Sequence, residues 1–130
     1  MSASKIRYIT ICCNDLVQTK NFYHEFLNWT PWKLSSEYLF YTVGSEVLVF
    51  WEKSIMQKEL GIQLEDFKNT LLSINLSSRQ AVDALYEKAI SLNVEILKPI
   101  ADTSMGYHFF WRDRESNLWE IVFNPNCFVE

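Results

Sequence analysis

Glycine, proline and cysteine are all scarce, with three of each in 130 residues. So few glycines leave nothing from which to build a phosphate-cradling loop, so nucleotide binding has no basis and no cofactor is expected. Three cysteines, an odd number without regular spacing, do not make a disulfide framework. They fit a reducing compartment, and a cytoplasmic location is expected. Long apolar runs are missing as well. The longest, Val47 to Trp51, falls far short of the ~20 residues of a membrane span. Positive charge is not in excess: 12 Lys and Arg against 16 Asp and Glu give a net charge of −4. With no basic cluster, neither nucleic acid nor an anionic membrane is expected as a partner. The opening stretch, Met-Ser-Ala-Ser-Lys-Ile-Arg-Tyr, has no hydrophobic signal core before the first expected strand.

What is present describes a folded chain. The apolar fraction of 48% and charged fraction of 22% are ordinary for a globular protein and exclude disorder. The length suits one domain, which at this size buries roughly two thirds of its unfolded surface and needs no disulfide or structural metal. Aromatic residues stand out at 15%, with five Trp, six Tyr and nine Phe. Two explanations apply: a core built from large rings, or an aromatic-lined cavity for an apolar or flat ligand.

Along the chain, one pattern is written twice. Residues Ile6 to Cys12 alternate and are rich in β-branched side chains, which predicts a strand. Asn14 and Asp15 suit a helix N-cap, and Leu16, Phe22, Tyr23, Phe26 and Leu27 then share one helical face. Asn28 stands where a left-handed stop is wanted. Trp29 to Leu34, interrupted by Pro31, reads as an edge strand. Tyr38 to Val43 and Glu46 to Trp51 flank Gly44-Ser45, a two-residue hairpin signal.

The pattern restarts with a strand at Thr70 to Leu76 and a helix capped by Ser77-Ser78. The helix has an apolar stripe of Val82, Leu85, Tyr86, Ala89 and Leu92, and Asn93 ends it. Val94 to Leu97 predicts a strand closed by Pro99. Tyr107 to Arg112 and Leu118 to Phe123 make a last hairpin, whose polar turn Asp113 to Asn117 reads as a solvated tip. Ile9-Thr10-Ile11 answers Leu72-Ser73-Ile74, and Phe22-Tyr23 answers Leu85-Tyr86, each pair 63 residues apart. Each half therefore reads βαβββ, and neither could bury its helix stripe and strand face alone. The boundaries are module one at about 5–52, a connector with a short helix at about 53–69, and module two at about 70–124.

Twin βαβββ modules of this length, opening on Ile9-Thr10-Ile11-Cys12-Cys13-Asn14-Asp15-Leu16 and closing on Trp111-Arg112-Asp113-Arg114-Glu115-Ser116-Asn117-Leu118-Trp119-Glu120-Ile121, resemble a known superfamily. It is the vicinal oxygen chelate superfamily of glyoxalase I, bleomycin-resistance proteins and extradiol dioxygenases. Asp15-Leu16, Phe22-Tyr23 and Leu27-Asn28 resemble its "DL…FY…LG" opening. Asp113, Asn117 and Glu120 match its "F-x-D-P-D-G-N-x-x-E" signature, with Arg114, Glu115 and Ser116 replacing Pro-Asp-Gly. The resemblance implies an α+β fold in which the two modules form a half-open β-barrel with the site on its concave face. In the family's metalloenzymes four positions, two per module, carry His, Glu or Gln ligands to a divalent ion. Here the resemblance places Tyr8, Leu48, Leu71 and Glu120 at those positions. Leucine cannot ligate, and one carboxylate with a phenol would hold an ion weakly, so no metal is expected.

Several residues could still carry function. Glu120, between Trp119 and Ile121 on an interior strand, asks for a partner. It reads either as a general base or ligand anchor, or as a carboxylate satisfied by a neighbour. His108 lies on the antiparallel strand and could meet it in a proton-transferring pair; alone, a strand histidine is more often structural. His24 is expected at the surface. Cys12 and Cys13 point to opposite faces and read as core thiols more readily than as nucleophiles, and Cys127 has no evident partner. Strand alternation groups Tyr8, Leu48, Phe50, Leu71 and Ser73 as ligand-facing, and Phe40, His108 and Phe110 join them if they point the same way. The loop Ala101 to Gly106 could close over such a cup.

The leading expectation is a metal-free binder of a small organic molecule, flat or aromatic, similar in type to the bleomycin-resistance branch. The alternative is a glyoxalase- or dioxygenase-type enzyme with a displaced metal site or Glu120–His108 acid–base chemistry. A third reading is an interaction subunit with a closed cup. By resemblance the protein is expected to be a homodimer, and exposed aromatics near Trp29 and Trp32 would suit its interface.

Overall fold

A computed structural model describes residues 4–127, the side chain of Cys127 excepted. The chain divides into two compact units between Asp66 and Phe67, inside the expected connector. The first unit runs β1 (Tyr8–Cys13), α1 (Leu16–Leu27), β2 (Lys33–Leu34), β3 (Tyr38–Val43), β4 (Glu46–Glu52) and α2 (Lys53–Leu60). The second runs β5 (Leu71–Asn75), α3 (Arg79–Ser91), β6 (Glu95–Thr103), β7 (Gly106–Arg112) and β8 (Leu118–Phe123), with a closing 3-10 turn at Pro125–Cys127. Each unit holds one four-stranded mixed sheet of the same topology, β1-β4-β3-β2 and β5-β8-β7-β6. In both, the first strand lies parallel to the last, and the remaining pairs are antiparallel. The expected α+β fold of two βαβββ modules is present. Among the described residues, no helix is long and apolar enough to cross a membrane.

Local chemistry sets the helix ends. Asp15 accepts the Gln18 amide at 2.9 Å and Ser78 accepts that of Ala81 at 3.0 Å, which satisfies donors that a first helical turn leaves open. Asn28 and Asn93 both take the left-handed conformation, at φ 58° and 57°. The two-residue turn Gly44-Ser45 links β3 to β4, with Gly44 at φ +64° where a side chain would be strained.

One face of each sheet is covered by its own helix. Under α1 lie Cys13, Leu39, Tyr41, Leu48 and Phe50, all buried together with the helix residues Phe22, Tyr23 and Phe26. Tyr23 is the hub: its ring lies 5.1 Å from Phe50 and 6.3 Å from Tyr41. Burial pushes the Tyr41 phenol up to about 12. Cys13 Sγ meets Thr19 Oγ1 at 3.1 Å. Under α3 lie Phe109, Trp111, Trp119 and Ile121, with the two tryptophans stacked at 5.5 Å and Tyr86 edge-on to Phe109. Eight of the twenty aromatic residues are therefore core.

Three local expectations need correction. The strand expected over Trp29 to Leu34 shrinks to Lys33–Leu34, because Trp29 stacks at 5.3 Å on Tyr23 instead of extending along the sheet. The strand expected to stop before Pro99 continues to Thr103. Pro99 lies on edge strand β6 inside the register irregularity between Lys98 and Ala101, where its missing N–H disrupts little. The loop expected at Ala101 to Gly106 is then only a tight hairpin turn. It is tied by Met105 N–H to Thr103 Oγ1 (3.1 Å) and by Asn124 Nδ2 to the Met105 carbonyl (3.1 Å).

The Asp113 to Asn117 tip is solvated only in part, at Arg114 and Ser116. Asp113 and Asn117 are buried, and Asp113 accepts from the amides of Glu115 and Asn117 and from Asn117 Nδ2, at 2.8–2.9 Å. The turn closes on the Asp113 carboxylate, which is satisfied there without water. Ser116 there adopts φ 68°, in the left-handed region where the resembled signature has glycine. A side chain in that region costs about 1–2 kcal/mol, so Ser116→Gly is expected to raise stability by about 0.5–1 kcal/mol. Urea denaturation would register the gain; a loss would show that the hydroxyl contributes more than the strain removes.

Candidate functional site

The uncovered face of each sheet carries the chemistry. In the first unit, β1 pairs with β4 as Tyr8↔Val47 and Thr10↔Val49, and β3 pairs with β4 as Tyr38↔Trp51 and Phe40↔Val49. Alternation therefore places Tyr8, Thr10, Tyr38, Phe40, Val49 and Trp51 on one face. They line an open hollow of about 430 Å³. Helix α2 closes one side with Ile55 and Glu59, four residues apart on one helical face, and Glu37 joins from the segment before β3. The rings meet edge to face: Phe40 lies 6.4 Å from Tyr8 and 4.9 Å from Tyr38. Lys33, opposite Phe40 on β2, holds its ammonium 5.6 Å from the centroids of both Tyr38 and Phe40.

Tyr8 and Phe40 thus face the hollow, as expected, but Leu48 and Phe50 do not. Both are buried under α1, and Phe50 packs on Tyr23 and Tyr41. A one-residue slip explains the difference. Leu71 pairs with Leu118 while Tyr8 pairs with Val47, so the counterpart of Glu120 in the first sheet is Val49, not Leu48. Since side chains alternate, one residue of offset moves every one of them to the other face.

In the second unit, Leu71, Ser73, His108, Phe110 and Glu120 do share the face turned away from α3. Leu71 is exposed, and Phe110 lies 4.9 Å from the His108 ring. His108 and Glu120 are 5% and 6% exposed, which makes their partners decisive. Glu120 Oε1 accepts the Ser73 hydroxyl at 2.6 Å, and Oε2 meets His108 Nδ1 at 2.5 Å. His108 Nε2 lies 3.0 Å from Thr103 Oγ1. The same oxygen accepts the Met105 amide at 3.1 Å. Both ring nitrogens of His108 are thus engaged, Nδ1 by the Glu120 carboxylate and Nε2 by the Thr103 hydroxyl. The chain runs through all four strands, from Ser73 on β5 and Glu120 on β8 to His108 on β7 and Thr103 on β6.

Comparison with known proteins places the chain. The Glyoxalase/Bleomycin resistance protein/Dioxygenase superfamily matches residues 5–121. The chain belongs to this superfamily. Among solved structures, a glyoxalase-related enzyme from Fulvimarina pelagi is 26% identical with a TM-score of 0.86, over 93% of this chain and 88% of that one. A lactoylglutathione lyase from Agrobacterium tumefaciens is 14% identical (TM-score 0.77, covering 99% and 100%). A fosfomycin resistance protein from Listeria monocytogenes is 20% identical (TM-score 0.75, covering 95% of each chain). At those identities the last two show the shared fold alone. No curated protein matches.

The superfamily's metalloenzymes hold an ion on two positions per module, and the residues here do not fit one. With the register corrected, the four positions are Tyr8, Val49, Leu71 and Glu120. Two are aliphatic, and the one carboxylate is engaged by His108 and Ser73. Among the described residues, no three His, Cys, Asp or Glu side chains cluster as a metal would need. His24 is exposed, as expected.

The sequence reading missed Tyr38, Trp51, Glu37, Glu59 and Thr103. The spacing of Ile55 and Glu59 marked one face of the connector helix, and the alternation of Tyr38 with Phe40 marked one sheet face. No sequence signal pointed to Thr103, because its strand was expected to end before Pro99.

Proposed function

We propose that this superfamily member binds a small, flat organic molecule in the hollow of its first module and does so without a resident metal ion. The observation that carries this is the hollow itself, where four aromatic rings line an open face instead of a core. Its size falls within the few hundred Å³ typical of small-molecule sites, and rings with a few polar groups are their usual lining. The departures at the metal positions favour the metal-free form. The Glu120–His108 pair is better suited to holding the second sheet together than to acid–base work. Both imidazole nitrogens are engaged and both side chains are buried, whereas a general base needs a free lone pair within reach of substrate.

The test is calorimetric titration of chelator-treated protein with a neutral flat probe, naphthylmethanol. Saturable binding of one probe per chain is expected, weakened about tenfold or more in Trp51→Ala or Phe40→Ala, as loss of one well-packed ring allows. Binding that appears only when a divalent ion is added would overturn the proposal.

A further inference from the structure

We infer that the hollow of the first module selects organic cations; this rests on its being a binding site at all. Three observations on the same face point there. First, two carboxylates, Glu37 and Glu59, stand among its lining residues, and no Lys, Arg or His does. Neither carboxylate enters a salt bridge with a described residue. Both belong to exposed residues, within reach of an arriving ligand.

Second, the rings are those that attract cations through their negative π-faces: an indole, two phenols and a phenyl. Third, the chain already shows this preference, because the exposed Lys33 holds its ammonium over Tyr38 and Phe40. A lysine on a flexible stem is a displaceable occupant. Even with Lys33 counted, two carboxylates face one ammonium. An anion would meet those carboxylates with no basic partner in the lining, and a neutral ring would gain only the apolar contact. A flat cation such as a quaternary aromatic ammonium gains the rings and the charge together.

Three probes of one ring size separate this inference from the reading beneath it: N-methylquinolinium, naphthylmethanol and naphthoate, each titrated by calorimetry into the full chain. The cation is expected to bind about tenfold or more tightly than the neutral probe, and the anion weakest. The double variant Glu37→Gln, Glu59→Gln alters only exposed side chains. In it the cation should bind no more tightly than the neutral probe, and added salt should erode the cation's advantage in the parent. Equal affinity for cation and neutral probe would overturn the selectivity and leave the binding site standing. Failure of all three probes to bind would overturn both.

Discussion

His108→Ala is expected to cost about 3–5 kcal/mol of stability, the range found when a buried acidic side chain loses its partner. Glu120, 6% exposed in the parent, would keep only Ser73 of its two side-chain partners, and Thr103 Oγ1 would lose its contact with the ring. A double variant separates the lost pairing from the lost ring. Replacing His108 and Glu120 together by leucine removes the charge and its partner at once, so it should retain most of the stability the single change forfeits. Urea denaturation of the three proteins measures this. A single variant within ~1 kcal/mol of the parent would mean that the cross-sheet chain does not hold the second module together.

Phe50→Ala should cost a similar ~3–5 kcal/mol, because the ring is wholly buried between Tyr23 and Tyr41 and its removal leaves a cavity. Phe40→Ala is the informative contrast. Its ring is only half-buried and borders the hollow, so about 1–2 kcal/mol is expected, with the principal effect on ligand affinity. The two substitutions remove the same side chain from positions ten apart in sequence and on opposite sheet faces. Denaturation followed by titration separates them: Phe50→Ala should lose stability first, and Phe40→Ala binding first. Equal stability losses would mean that the ring of Phe40 is core too.

The contrast also shows where the sequence could be read and where it could not. The duplication was legible because caps, helix stripes and hairpins recur at a fixed offset, and each has a local cause: Asp15 and Ser78 at N-caps, Asn28 and Asn93 at left-handed stops. The strand faces of the second module were also legible, since Ser73, His108 and Glu120 are polar residues among apolar neighbours and reveal alternation. In β4 that signal is missing. Val47-Leu48-Val49-Phe50-Trp51 is apolar at every position, so nothing local tells one face from the other, and only pairing with β1 fixes the register. The buried Asp113 clasp was misread for the related reason that a polar side chain can satisfy itself within its own turn. Thr103 and Glu59 depend on contacts that only the folded units create.

The most direct measurement is elemental mass spectrometry of untagged protein, paired with the naphthylmethanol titration before and after chelator treatment. The account predicts far less than one Zn, Ni, Mn or Fe per chain and the same affinity in both states. A near-stoichiometric metal whose removal abolishes binding would contradict it. Such a result would place a ligand set around Glu120 that the strand register does not provide.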